Sequence, residues 1–142
     1  MKKDVIISIK GIYKTEGDKD VVELMTQGTY SRKDGCYYLQ YQESEATGMD
    51  GVTTTLKIID DSLVSLSRSG MQGTQLMVEK GKRHLCHYDT GYGNLMVGVN
   101  AAKIESSLND EGGDLHFKYS LDINSSLASE NEVFINIKEC KR

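Results

Sequence analysis

Between Leu115 and Ile123 the chain alternates without a break: Leu115, Phe117, Tyr119, Leu121 and Ile123 fall on one side, and His116, Lys118, Ser120 and Asp122 on the other. A period of two is that of a β-strand with one face buried and one face wet. The same period recurs along the chain. Val5, Ile7 and Ile9 alternate with Ile6, Ser8 and Lys10, and the strand runs on through Ile12 towards Tyr13. Val22, Leu24, Thr26, Gly28 and Tyr30 oppose Glu23, Met25, Gln27 and Thr29, with Gly28 marking a close approach or a bulge. In 36–43, Tyr37, Leu39, Tyr41 and Glu43 share a side, and the β-branched run 52–59 is a further strand. Val64, Leu66 and Arg68 share the next face; strands follow at 75–79, 82–90 and 95 to roughly 107. The last, 132–139, sets Val133, Ile135 and Ile137 against Phe134, Asn136 and Lys138.

Between these runs lies turn chemistry, including Lys33-Asp34-Gly35, Asp60-Asp61, Lys80-Gly81, a glycine corner at Thr90-Gly91-Tyr92-Gly93, and 109–113. The stretch 124–131 reads as a polar loop with room for a helical turn around Leu127. That makes about ten strands and no helix of useful length. No connection is long enough for a crossover helix, so the sheet is antiparallel. The architecture is therefore all-β, a sandwich or a barrel. One-sided amphipathic strands, in a chain with no proline to guard a sheet edge, favour a single closed β-barrel of about 8–10 strands over 1–142.

A net charge of -4 argues against nucleic acid as a partner. No run approaches the ~20 apolar residues of a membrane span. Cys36, Cys86 and Cys140 are odd in number and widely spaced, which encodes neither a disulfide framework nor a zinc knuckle and points to a reducing, cytoplasmic setting. The apolar run at Val5 to Ile9 is too short for the core of a signal peptide.

The pattern Tyr41-x-Glu43, Thr54-Thr55-Leu56-Lys57-Ile58, Arg68-Ser69-Gly70, Glu79-x-Gly81, Tyr88-x-Thr90-x-Tyr92-Gly93 and Tyr119-Ser120-Leu121 resembles the YwiB-like family of uncharacterised bacterial proteins. The resemblance covers nearly the whole chain. It implies a calycin-type, lipocalin-like β-barrel and a cytoplasmic protein, and it carries over no catalytic residue. Gly91 stands where the family often has proline, which implies a looser corner.

Nucleotide and hydrolase motifs are absent. Gly91-Tyr92-Gly93 opens a strand and offers no helix N-terminus to a phosphate, and no Walker, G-x-S-x-G or H-E-x-x-H pattern occurs. No cofactor is implied. His84 and Cys86 share a strand face suited to a soft metal, but the sequence shows no third ligand, so no metal site is assigned. Arg68 continues the apolar face of Val64 and Leu66, as Glu43 continues that of Tyr37, Leu39 and Tyr41; both charges should therefore point inward. An inward arginine suits a carboxylate or phosphate. In related calycin barrels an interior arginine holds the ligand's acid group, which implies an anion site of Arg68, Glu43, Tyr41, His87 and Tyr92. The plainer reading is that Glu43 and Arg68 neutralise each other at the barrel end.

The expected function is a non-enzymatic barrel that binds a small hydrophobic, anionic or amphipathic molecule in its interior or mouth. The alternative is a solid-core interaction module acting as a homodimer or through a protein partner. A hydrolase built on Glu43, His87 and Asp89 is a third reading.

Overall fold

The computed structural model describes residues 2–43, 51–69, 74–89 and 94–140. They form ten strands: β1 (Lys2–Thr15), β2 (Asp18–Lys33), β3 (Cys36–Gln42), β4 (Thr53–Ile59), β5 (Leu63–Ser69), β6 (Thr74–Glu79), β7 (Arg83–Asp89), β8 (Asn94–Ser106), β9 (Gly112–Ile123) and β10 (Ser126–Glu139). All lie in one antiparallel sheet of order β6-β5-β4-β3-β2-β1-β10-β9-β8-β7. Every strand pairs with its neighbour in sequence except β6 with β7, and β1 meets β10 from Val5↔Glu139 to Thr15↔Ser129. The result is a nearly closed up-and-down barrel. Its one seam falls between β6 and β7, which are consecutive in the chain yet stand at the two ends of the ladder.

The alternation read from the sequence decides which side is inside. Val5 and Ile7 of β1, Leu39 of β3, Leu56 and Ile58 of β4, Leu115 and Phe117 of β9, and Ile135 and Ile137 of β10 are all buried. Val5, Ile7, Tyr30, Leu39, Val64 and Val99 are 0% exposed, so no water-sized space touches them and side chains fill the interior at their level. Gly28 is a close approach without a bulge. Its register with Val5 and Tyr41 is unbroken, and a Cβ there would lie 2.4 Å from the Gln40 carbonyl oxygen and 2.7 Å from Ile7 Cδ1.

Two-residue turns set several hairpins. Asp34 (φ 54°) and Gly35 (φ 79°) join β2 to β3 with both residues left-handed, as the strand twist requires. Asn124 (φ 53°) and Ser125 (φ 68°) do the same between β9 and β10. Here the structure corrects the sequence reading. Leu127 lies in β10, which begins at Ser126, and not in a helical turn. The tight turn lets pairing start at once, Ser126↔Ile123, and a register shift between Leu127 and Ser129 absorbs the irregular spacing. Polar residues on an exposed hairpin end hide the alternation that marks the rest of the strand. The corner 90–93 and the connections 44–50 and 70–73 lie outside the described residues.

Because the strands run up and down, the turns after β2, β4, β6 and β8 gather at one end, the base. The opposite end of the strands is the mouth. The base is closed by the β8–β9 connection: the Tyr30 hydroxyl donates to the Asn109 carbonyl at 2.9 Å, and the Tyr37 hydroxyl donates to Asp110 Oδ1 at 3.1 Å. Arg32 pairs with the same carboxylate at 2.8 Å, and the two tyrosine rings stack at 5.2 Å. Burial pushes the Tyr30 hydroxyl's pKa far up, with lesser contributions from Tyr37 and Asp110, so Tyr30 stays a neutral donor.

Candidate functional site at the barrel mouth

Near the mouth the inner face changes from apolar to polar within one cross-strand row. Gly28, Tyr41, Thr54 and Arg68 stand opposite one another on β2, β3, β4 and β5. Glu43, one step nearer the mouth than Tyr41, continues the same face; its backbone N–H donates to the Val52 carbonyl at 2.8 Å. The absence of a side chain at Gly28 lets Tyr41 pack close to β2, since a Cβ would sit 3.1 Å from that of Tyr41.

The Glu43 side chain is 2% exposed, so its carboxylate needs compensation. Thr54, fully buried, donates its hydroxyl to Glu43 Oε1 at 2.7 Å. The Tyr41 hydroxyl's pKa is pushed far up, first by burial, then by the negative charge of Glu43, against which the Arg68 charge pulls. Arg68 Nε lies 4.0 Å from Glu43 Oε1, close enough for attraction and too far for a hydrogen bond. Among the described residues this Nε, itself buried, has no hydrogen-bond partner. The Arg68 side chain as a whole is 22% exposed.

Of the residues singled out from the sequence, the structure brings together Arg68, Glu43 and Tyr41. Tyr92 lies outside the described residues. His87 is exposed: Cys86 takes the inner face of β7, so the neighbouring His87 points outward, opposite half-exposed Met96. Glu43 inside and His87 outside do not form an acid–base pair. His84 spends its Nε2 on Glu79 Oε1 at 2.8 Å. Among the described residues no group of three or more His, Cys, Asp or Glu could hold a metal ion.

Two polar features were not anticipated. Thr54 has the character of a strand former, yet its place in the alternation with Leu56 and Ile58 puts it inside. On the outer wall, Arg83 crosses β8 to Asp122, its Nε 3.1 Å from Oδ2, and Asn100 donates to the same oxygen at 3.1 Å. The only signal in the sequence was Gly98, where a Cβ would lie 2.4 Å from the Arg83 guanidinium. That guanidinium, ahead of every other influence, holds the Asp122 carboxyl below the usual carboxylate range.

The fold and this mouth define a class: a meander β-barrel, nearly closed, with a filled lower interior and a polar upper end. Within that class the chain belongs to the family described as a domain of unknown function (DUF1934), which matches residues 7–135. The chain is similar to the "Uncharacterized beta-barrel protein YwiB" of Bacillus subtilis (strain 168), 24% identical over 119 residues, which are 84% of this chain and 82% of that one. The crystal structure of the ywiB protein from Bacillus subtilis superposes with a TM-score of 0.85 at 21% identity, over 99% of this chain and 94% of the other, so the two share the fold. Among the described residues no helix is long and apolar enough to cross a membrane.

Proposed function

We propose that this chain is a non-enzymatic barrel that binds a small acidic molecule at its mouth, with Arg68 as the anchor. One observation carries the reading: the buried Nε of Arg68 has no hydrogen-bond partner among the described residues, while Glu43 beside it already accepts from Thr54. An arginine presents its donors in a fixed fork that suits a carboxylate or phosphate, and a buried donor left without an acceptor is costly. A ligand oxygen at the mouth would remove that cost. The three free cysteines fit a reducing compartment such as the cytoplasm.

The test is a thermal-shift screen of short carboxylic acids, fatty acids, phosphates and nucleotides against the wild type and Arg68→Met. A true ligand at a hundred times its Kd stabilises the wild type by about 2.7 kcal/mol and leaves Arg68→Met unmoved. If every compound that shifts the wild type shifts Arg68→Met equally, Arg68 is no anchor. The filled lower interior favours a second reading, a solid-core interaction module.

A further inference from the structure

The outer wall of the barrel is divided by charge. Across β10, β9 and β8 its cross-strand rows carry acids and bases together: Glu132 stands opposite Lys118, Glu105 stands opposite His116, and Lys103 pairs with Glu105. Across β2 to β6, two adjacent rows carry no charge. Thr29, Gln40, Thr55, Ser67 and Gln75 stand opposite one another, on the outer face because Tyr30, Leu39, Leu56 and Leu76 beside them are buried. One step nearer the mouth, Gln42, Thr53 and Ser69 form the second row. In a chain of which 27% is charged, such rows make a surface of one chemical kind, amide and hydroxyl. Among the described residues, none of these side chains spends a polar atom on a hydrogen bond within the chain.

A cleft of about 680 Å³ opens into this surface. It lies where β2 and β3 part. Their ladder ends at Gly28↔Tyr41, although β2 continues towards the mouth against β1, and β3 continues to Gln42 against β4. Gln27 therefore faces Gln42 across an opened ladder, and Gln40, Thr29 and Thr53 complete the outer lining. The inner end stops at Tyr41 and Glu43, both buried. With its side chain 2% exposed, Glu43 brings almost no charge to the cleft.

We infer that this cleft binds a neutral carbohydrate, one hexose ring of a short oligosaccharide. A glutamine amide holds donors and an acceptor at one tip, and a threonine hydroxyl both donates and accepts, as does every hydroxyl of a sugar. Three amides converging on one cleft can grip neighbouring ring hydroxyls in pairs. Other ligand classes fit worse. An acid or an amine would enter with its charge unanswered, because neither row supplies a counter-ion. An apolar molecule would strip water from the amides and return no hydrogen bond. Beyond the cleft the same chemistry repeats from strand to strand. Neighbouring strands lie about 4.8 Å apart, close to the length of one hexose unit, so further rings laid across them would meet Thr55 and then Ser67. The amides line the outer side of the sheet and Arg68 the inner, so this site and the Arg68 anchor stand or fall separately.

The experiment is an NMR titration of the full chain that reads the side-chain amide signals of Gln27, Gln40 and Gln42. The probes are cellotriose, maltotriose, glycerol, and glucose with glucuronic acid as a pair that differs in charge. At least one trisaccharide should move those signals saturably at millimolar concentration, and glycerol at equal hydroxyl concentration should not. Gln40→Glu keeps the shape, replaces the amide donors with a charge, and should weaken trisaccharide binding about tenfold or more. Gln75→Ala, at the far end of the same row, should bind as the wild type does. Both positions are exposed, so neither change threatens folding. Arg68→Met should also bind the trisaccharide normally, which separates this cleft from the acid site. The inference is overturned if neither trisaccharide moves the amides, if glycerol moves them equally, or if glucuronic acid binds more tightly than glucose. It is overturned as well if Gln40→Glu binds like the wild type, or if the same signals move on dilution without sugar, as they would if a second copy covered this wall.

Discussion

Thr54 holds the mouth together by one proton. Its hydroxyl lies 2.7 Å from Glu43 Oε1, on a carboxylate that water barely reaches. Thr54→Val keeps the shape and deletes the donor, so it should destabilise the fold by about 1–3 kcal/mol, read from urea midpoints, with Thr54→Ser recovering most of the loss. Gly28→Ala tests the same row sterically: with the Gln40 carbonyl oxygen 2.4 Å from the new Cβ, a cost of about 1–3 kcal/mol is expected in the same assay. Arg68 and Glu43 were legible in the sequence because each extends an apolar face by one more period, and a strand cannot turn one residue outward without turning its neighbours. Their partners were less legible. Threonine serves equally as a strand former and as a buried donor, so composition alone does not reveal Thr54. His87 was placed near Arg68 by the resemblance, but on a strand as short as β7 the face is settled by which residue finds the core, and Cys86 finds it.

At the scale of the element, turn chemistry and alternation together fixed most strands, and they failed where the two conflicted or where polar residues hid the period. The β9–β10 hairpin is the second kind. Asn124 and Ser125 both hold positive φ, which costs a serine roughly 1–2 kcal/mol of steric strain. Ser125→Gly removes that strain at the expense of some unfolded-chain entropy, so a net gain of about 0.5–1 kcal/mol is expected. A thermal melt showing a loss instead would mean that the serine side chain does more in the turn than its backbone angle implies. The β6–β7 hairpin is the first kind. Lys80-Gly81 reads correctly as a tight turn and Leu76, Val78 and Cys86 read correctly as strand positions, yet the parity that sets them at odds appears only when both are counted together.

Across the whole molecule, carboxylates pair with cations on the outer wall, Asp122 and Glu132 across strands and Glu105 along its own. Asp122 on β9 is held below its usual pKa range first by the hydrogen bond from Arg83 on β7, and then by the Arg83 charge, the Ser125 N–H and Asn100. Glu132 on β10 is lowered first by its hydrogen bond with His116 on β9, then by Lys118 and other nearby charges. Glu105 on β8 is lowered by Lys103 beside it. A carboxyl whose pKa falls on folding is ionised in the native state while the unfolded chain binds protons more readily. Its stabilisation is therefore complete above the unfolded pKa, about 4, and drains away as pH falls through the lower native value. Three such groups act in the same direction, so unfolding by urea should be indifferent to pH between neutrality and about 5, and should become steadily easier below about 4. Asp122→Asn should be less stable at neutral pH and should lose less on acidification than the wild type. Parallel pH curves for the two proteins would show that the Arg83 clip adds nothing to stability. Because the barrel closes through β1 and β10 while its seam lies on the far side, acid should loosen the β7–β9 wall first. Exchange of β7 and β8 amides should accordingly accelerate at a higher pH than exchange in the β1–β10 ladder.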